Sequence, residues 1–285
     1  MTVELASNRY GKSGVRLFKV VREGPGTGGR HVIRDLTVDV SLSGRFVAAH
    51  VAGDNSEVLP TDTMKNTVYA QARESDIEEP ENFAMQLARH FLGVAVAADT
   101  ARVRVAEHGW QRIDVGGVPH DHAFARAGAE TRVAIVEVQR RGDVAISAGI
   151  EDLVILKSSR SGFARFVRDR YTTLAETSDR ILATSLRATW RYRGEAVDFR
   201  QFDGIRRVLL ERFAGHDSAS VQHTLHAMGE AVLTWCRDVA EITIAMPNRH
   251  HLLVDLAPFG LDNPNEIFVP TEAPYGLIEA TLRRP

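Results

Sequence analysis

Cysteine is nearly absent. The 285-residue chain has one, Cys236, so no disulfide can form within it. That suits a reducing compartment, and a cytoplasmic location is the expectation. Neither charge sign is in excess. Lys and Arg number 35 against 37 Asp and Glu, a net charge of −2, which creates no general attraction for nucleic acid or anionic lipid. No apolar run approaches the ~18 residues a spanning helix needs. The opening MTVELASNRYGK has no signal-peptide core, and the closing RRP is not a Ser-Lys-Leu address. P-loops, nucleophile elbows and Gly-x-Gly-x-x-Gly fingerprints are missing. So are linkers, low-complexity stretches and heptads. The expectation is therefore a globular protein with neither a nucleic-acid nor a membrane partner.

Residues that are present organise into two similar halves. VRLFKVVRE (15–23) and HVIRDLTVDVSLSG (31–44) alternate apolar and polar residues, with the flexible turn GPGTGGR (24–30) between them. RFVAAHVAG (45–53) reads as an extension of this long antiparallel hairpin. A helix is expected from near Asp62 toward Arg73. A second, over 80–95, has Pro80 at a tolerated first position and Phe83, Leu87, Phe91 and Val94 at helical spacing. Residues 101–110 and 131–157 return to strands, with RRGD (140–143) as their turn. Strands over 153–159 and 180–192 follow, then helices over 198–216 and 218–239, then strands over 241–256 and 276–284. The order is β-β-α-α-β-β, used twice, with domains expected at 1–140 and 141–285. Sheets of this kind need covering surfaces, which suggests an oligomer.

Several patches could carry chemistry, each with a plainer explanation beside it. Lys12 precedes the first strand, where a lysine is ordinarily a solvated surface group. Thr61 and Asp62, in TDTMKNT, stand at a helix start; capping alone would account for them. Asn248, His250 and His251 share MPNRHHLLVD, but adjacent strand residues face opposite ways, so the two histidines cannot readily share a metal. His120 and His122 could face one way as a zinc pair, yet no cysteine or third ligand is nearby. No metal is expected. Cys236 lies in an apolar helical pattern and reads as a buried structural thiol. Phe163 taken alone would be core, and Arg180 a salt-bridge partner. Val221 and Gln222 begin a helix, where unpaired N–H groups would face any planar anion.

The stretches NRYGKSGVRLFKV, TDTMKNTVYA, HDHAF, LKSSRSGFARFVRDRYTTLAETSDRILAT, ATWRY, MPNRHHLLVDL and DNPNEIFVPTEAPYGLIEATL resemble the urate oxidases, and the bacterial members most. They run from residue 8 to residue 282. The resemblance implies an α+β fold of tandem tunnelling-fold domains: antiparallel sheets, with helices on one face, that assemble into barrels. It implies a homotetramer with active sites at subunit interfaces, and oxidation of urate by dioxygen and water to 5-hydroxyisourate and hydrogen peroxide. No metal or organic cofactor is implied. In the implied site Lys12 activates Thr61, and His250 is the third member of the relay. Asn248 and Thr61 hold dioxygen or water above the urate plane, and Phe163 lies beneath it. Arg180 and Gln222 grip its edges. Val221 and the neighbouring chain's Asp62 supply N–H groups, and Leu174 walls the pocket. Lys12, Thr61 and Asp62 would come from a different subunit than Phe163, Arg180 and Gln222.

Two rival classes share parts of this pattern. A purine- or pterin-processing enzyme of the same fold would anchor its ring with a glutamate, often with zinc. A non-catalytic purine-binding scaffold would not need Lys12, Thr61 and His250 together.

Overall fold

The computed structural model describes residues 3–22 and 29–284. Most of the expected turn at 24–30 lies outside the described residues. The chain divides into two compact units, 1–149 with 191–200, and 150–190 with 201–285.

In the first unit β1 (Tyr10–Val21) and β2 (Val32–Gly44) form the expected hairpin. Residues 45–53 do not extend it: Val47–Val51 is a short helix, α1, whose His50 Nδ1–H donates to Phe46 O at 2.8 Å. Three longer elements follow: α2 (Thr61–Glu74), α3 (Pro80–Val94) and β3 (Ala98–Val115). β4 (Val118–Gln139) comes next, and the 140–143 turn leads into β5 (Val144–Lys157). The sheet order is β1-β2-β3-β4, antiparallel throughout.

Period-two alternation decides which face is covered. Leu36, Val38, Val40 and Leu42 of β2 are buried, as are Met64 and Val68 of α2 and Phe83, Leu87 and Phe91 of α3. Each such burial is worth about 1.5–3 kcal/mol. Val94 does not join them. It is 51% exposed, because the helix ends there.

The intervening β2 residues bear polar groups. Asp35, only 4% exposed, accepts from Arg16, from Trp110 Nε1–H at 3.0 Å and from Arg126 at 2.8 Å. Burial pushes its carboxyl up, but the Trp110 bond and the two arginines outweigh that and hold it below its usual value. A depressed carboxylate stabilises the fold above its unfolded pKa and loses that contribution as pH falls through the folded value. Asp35→Asn should therefore cost about 1–3 kcal/mol near neutral pH. The deficit should shrink below about pH 4, as read by denaturant unfolding of both proteins across that range. A deficit independent of pH would contradict the charged role.

The second unit contains residues 150–157 of β5, β6 (Leu182–Tyr192), α4 (Phe202–Gly215), α5 (Val221–Trp235) and β7 (Val239–Ala245). Three short strands come next, β8 (Asn248–Arg249), β9 (His251–Leu253) and β10 (Phe268–Pro270), before β11 (Glu279–Arg283). Strands run in the order β5-β6-β7-β11, with β8 also on β6. Leu186, Trp190, Leu209, Leu225, Met228, Ile242 and Ile244 form the core, with Trp190 and Phe202 ring centroids 5.6 Å apart. Cys236 is buried, as expected, and its Sγ–H donates to Gln201 Oε1 at 2.8 Å.

The single expected strand at 241–256 is broken into β7, β8 and β9. Pro247 has no N–H to give a ladder. The residues on either side donate instead, Met246 N–H to Ile278 O and Asn248 N–H to Gly276 O. Among the described residues, no helix is long and apolar enough to cross a membrane.

Candidate active site

The candidate residues fall in both units. Lys12, Thr61 and Asp62 belong to the first; Phe163, Leu174, Arg180, Val221, Gln222, Asn248 and His250 belong to the second.

Lys12 is half-buried on β1, paired with Val40. Its neighbour must be glycine, since a Cβ on Gly11 would sit 1.9 Å from Val40 O. Just beyond Lys12 the register slips: Lys12 faces Val40 but Val15 faces Val38, so β1 carries one extra residue. Gly14 takes this bulge at φ 69°, and its N–H donates to Asp39 Oδ1 at 2.7 Å. Such bulges re-aim side chains.

Thr61 and Asp62 are the first two residues of α2, but neither caps it. The cap position is Pro60, without a side-chain bond. Capping therefore does not account for the Thr-Asp pair. The Asp62 carboxylate turns along its own helix, to Lys65 and to Asn66 Nδ2–H at 3.1 Å. Chiefly the Lys65 bond, with a smaller effect of the Lys12 charge, holds it below its usual pKa. The half-buried Thr61 hydroxyl is not used as a cap, and the first N–H groups of the helix have no helical acceptor.

In the second unit two isolated bridges gather the ring-binding candidates. Phe163 pairs with Thr177, through Phe163 N–H to Thr177 O at 2.8 Å and Thr177 N–H to Phe163 O at 3.0 Å. Ser161 pairs with Ser218, through Gly162 N–H to Ser218 O at 2.8 Å and Ser218 N–H to Arg160 O at 3.0 Å. The first bridge brings Phe163 to the segment that ends in Arg180; the second brings it to the start of α5. Gly162 lies between them, where a Cβ would be 3.1 Å from both Thr177 O and Ser178 O. Asp179 secures the same loop, accepting from Ser159 Oγ–H at 2.7 Å and Ser161 N–H at 3.2 Å. These anchors are not apparent from the sequence alone; the SSRSG pattern and Asp179 are their signal.

Phe163 is half-buried rather than core. The Arg180 guanidinium carbon is 5.3 Å from its ring centroid. Arg180 is no salt-bridge partner of the described residues. Among the described residues it has no carboxylate, and its buried Nε–H has no acceptor. Burial lowers its pKa from the usual value. Val221 and Gln222 open α5, capped by Ser220, whose Oγ accepts from His223 N–H at 3.1 Å. Their own N–H groups precede the helical ladder, and Gln222 is exposed. Leu174 is 52% exposed in the loop between. Beside Phe163 a hollow of about 450 Å³ opens, lined also by Arg160, Thr177, Ser218 and Ala219.

Asn248, 8% exposed, sits opposite Thr184 near the start of β6, the strand that Arg180 leads into. Two residues apart on extended chain, Asn248 and His250 face the same way, and Asn248 Nδ2–H donates to His250 Nδ1 at 3.3 Å. A neutral imidazole then keeps its proton on Nε2. His251 turns away and bonds Arg249 O at 3.2 Å. His120 and His122 do face each other, with ring centroids 4.5 Å apart, but His120 Nδ1 already accepts His122 N–H at 3.3 Å. Among the described residues no group of three or more His, Cys, Asp or Glu is placed to hold a metal ion.

A flat anion suits this second-unit set: an aromatic face, a free guanidinium and helix-start N–H groups. A family model described as Uricase matches residues 8–137 and 146–279. The chain belongs to the uricase family. Uricase of Arthrobacter globiformis is 47% identical over 283 residues, covering 99% of this chain and 90% of that protein. Uricase of Arabidopsis thaliana is 38% identical over 295 residues, 97% and 94% of the two chains. The crystal structure of the Arthrobacter globiformis uricase superposes with a TM-score of 0.93, covering 100% of this chain and 96% of that one. A uricase from Bacillus fastidious, 26% identical, gives 0.84 over 97% and 93%. The repeated β-β-α-α-β-β order is thus the tandem tunnelling fold of this family, with antiparallel sheet and helices on one face.

Proposed function

We propose that this chain is a urate oxidase that converts urate, dioxygen and water to 5-hydroxyisourate and hydrogen peroxide, at a site shared between subunits of a homotetramer. The observation that carries the substrate is Arg180, a half-buried cation beside an aromatic face, with no acid among the described residues to neutralise it. Urate is a planar anion near neutral pH, and a guanidinium fork answers its edge with charge-assisted bonds. Gln222 takes the other edge, the Val221 N–H adds a donor, and Leu174 closes the pocket side.

The chemistry needs the urate monoanion stripped of a second proton, so that it gives up an electron to dioxygen. Lys12 takes that proton through Thr61, and His250 extends the relay. Asn248 and Thr61 hold first dioxygen and then water over the ring. After peroxide leaves, that water completes 5-hydroxyisourate. No metal or organic cofactor is needed. We take the two tunnelling-fold domains as residues 1–140 and 141–285, and place the enzyme in the cytoplasm on its single cysteine.

The direct assay is urate in air with a chelator present. Urate absorbance should fall with uptake of one dioxygen per urate. Unchanged urate overturns the activity; complete loss on chelation, restored by a metal, overturns the cofactor-free route.

Sharing between subunits has its own consequence. At urate no higher than the unsubstituted enzyme's KM, the Lys12→Met and Arg180→Ala chains should each be nearly inactive. Refolded together, they should regain activity, because some hybrid sites draw Lys12 from one chain and Arg180 from the other. Hybrids confirmed by native mass spectrometry but inactive would show that each chain builds its own site.

A further inference from the structure

Phe166 lies outside every role assigned so far. Its ring stacks on that of Phe163, with centroids 5.0 Å apart and planes 11° apart. It is not core packing. Phe166 is half-buried, with Ala164, Arg165, Val167 and Arg168 around it all exposed. Its outer neighbour is the Arg168 guanidinium, 4.8 Å from the Phe166 centroid.

The backbone is bent to make this stack. Arg165 adopts φ 58°, the left-handed region that a long side chain seldom enters. That reversal folds residue 166 back onto residue 163. Glu176 holds it, accepting Arg165 N–H at 3.1 Å with one oxygen that also lies 3.9 Å from Arg168. A conformational cost accepted at one place, and fastened from outside, points to a task for the ring it aims.

An aromatic ring in a loop offers two faces and can rotate. With Phe166 on one face, Phe163 has a single face left for a planar ligand, and its tilt is set. We infer that Phe166 is a positioning residue: it blocks one face of Phe163 and fixes the plane on which urate lies. This rests on the assignment of Phe163 to the substrate site. Orientation matters because urate must meet dioxygen held above it, and small misplacements of reacting groups carry large rate penalties.

The test compares Phe166→Leu, which keeps apolar bulk but loses the flat face, with Phe166→Tyr, which keeps the face. Xanthine, a planar purine lacking the 8-oxygen, is the binding probe, and kcat on urate is measured separately. Phe166→Leu should weaken xanthine binding about three- to tenfold, the range expected for losing a stacked aromatic pair, and lower kcat as well. Phe166→Tyr should restore both to within about twofold. The double variant Phe163→Ala with Phe166→Leu should bind no more weakly than Phe163→Ala alone, since Phe166 acts only through its neighbour. Additive losses, or a Phe166→Leu protein that binds and turns over normally while Phe163→Ala is impaired, would overturn the inference. If Phe163→Ala itself binds xanthine normally, the assignment of the site fails, and this inference with it.

Discussion

Lys12→Met is expected to lower kcat for urate by about 10²- to 10⁴-fold, the usual span for losing a positioned proton-transfer group. KM should hardly change, because in the proposed mechanism Lys12 and Thr61 act on the proton that leaves, whereas Arg180 and Gln222 are assigned to the edges of the ring. Thr61→Ala should fall in the same range. The placement of each residue supports a role beyond packing. Lys12 stands at a bulge whose neighbour must be glycine, a costly way to position an indifferent surface lysine. Thr61 opens a helix that it does not cap, so its hydroxyl is left for other work. Nor does the Asp62 carboxylate compete for the substrate, since Lys65 and Asn66 hold it along the helix. If lysine and threonine form one relay, the double variant should be barely slower than the slower single one. Losses that multiply would show two independent contributions. A Lys12→Met enzyme with normal kcat would remove the lysine from the mechanism and leave His250 as the next base to test.

Where one face of an element is buried, its place is readable from sequence. The β2 alternation and the Phe83, Leu87, Phe91 stripe both reach the core they point to. Where neither face is buried, the pattern carries no signal. The outer stretches of β3 and β4, around residues 110–130, pair as strands although most of their residues are exposed or half-buried. The VAAHV segment looks strand-like by its valines, but buries none of its residues and winds into α1. The candidate site is assigned differently, by residue resemblance, and Arg180 shows the limit of reading residues singly. A lone arginine is most simply a salt-bridge partner. The bridges at Phe163–Thr177 and Ser161–Ser218 set it beside a ring with no acid in reach among the described residues. Those bridges join segments up to ~57 positions apart and leave no local periodicity to detect.

Arg180→Ala should raise KM for urate by about a hundredfold or more, equivalent to ~3 kcal/mol for removing charge-assisted hydrogen bonds in a partly desolvated site. Among the described residues no acid compensates this half-buried guanidinium, so burying it has already been offset elsewhere in the fold. An anion arriving there finds a donor that need not first release a protein partner. For that reason the substitution should not destabilise the protein. Removing an unpaired, partly buried cation relieves desolvation and breaks no salt bridge, so the denaturation midpoint should stay level or rise. Weaker binding at unchanged stability is the signature that separates a substrate arginine from a structural one. Arg180→Lys should recover little, because an ammonium keeps the charge but not the planar fork. Gln222→Ala should be milder, since a neutral amide contributes about 0.5–1.5 kcal/mol per hydrogen bond. The measurements are steady-state KM with urate, xanthine affinity and urea unfolding on each variant. A large fall in stability with unchanged KM would return Arg180 to the structural role that its sequence context first suggested.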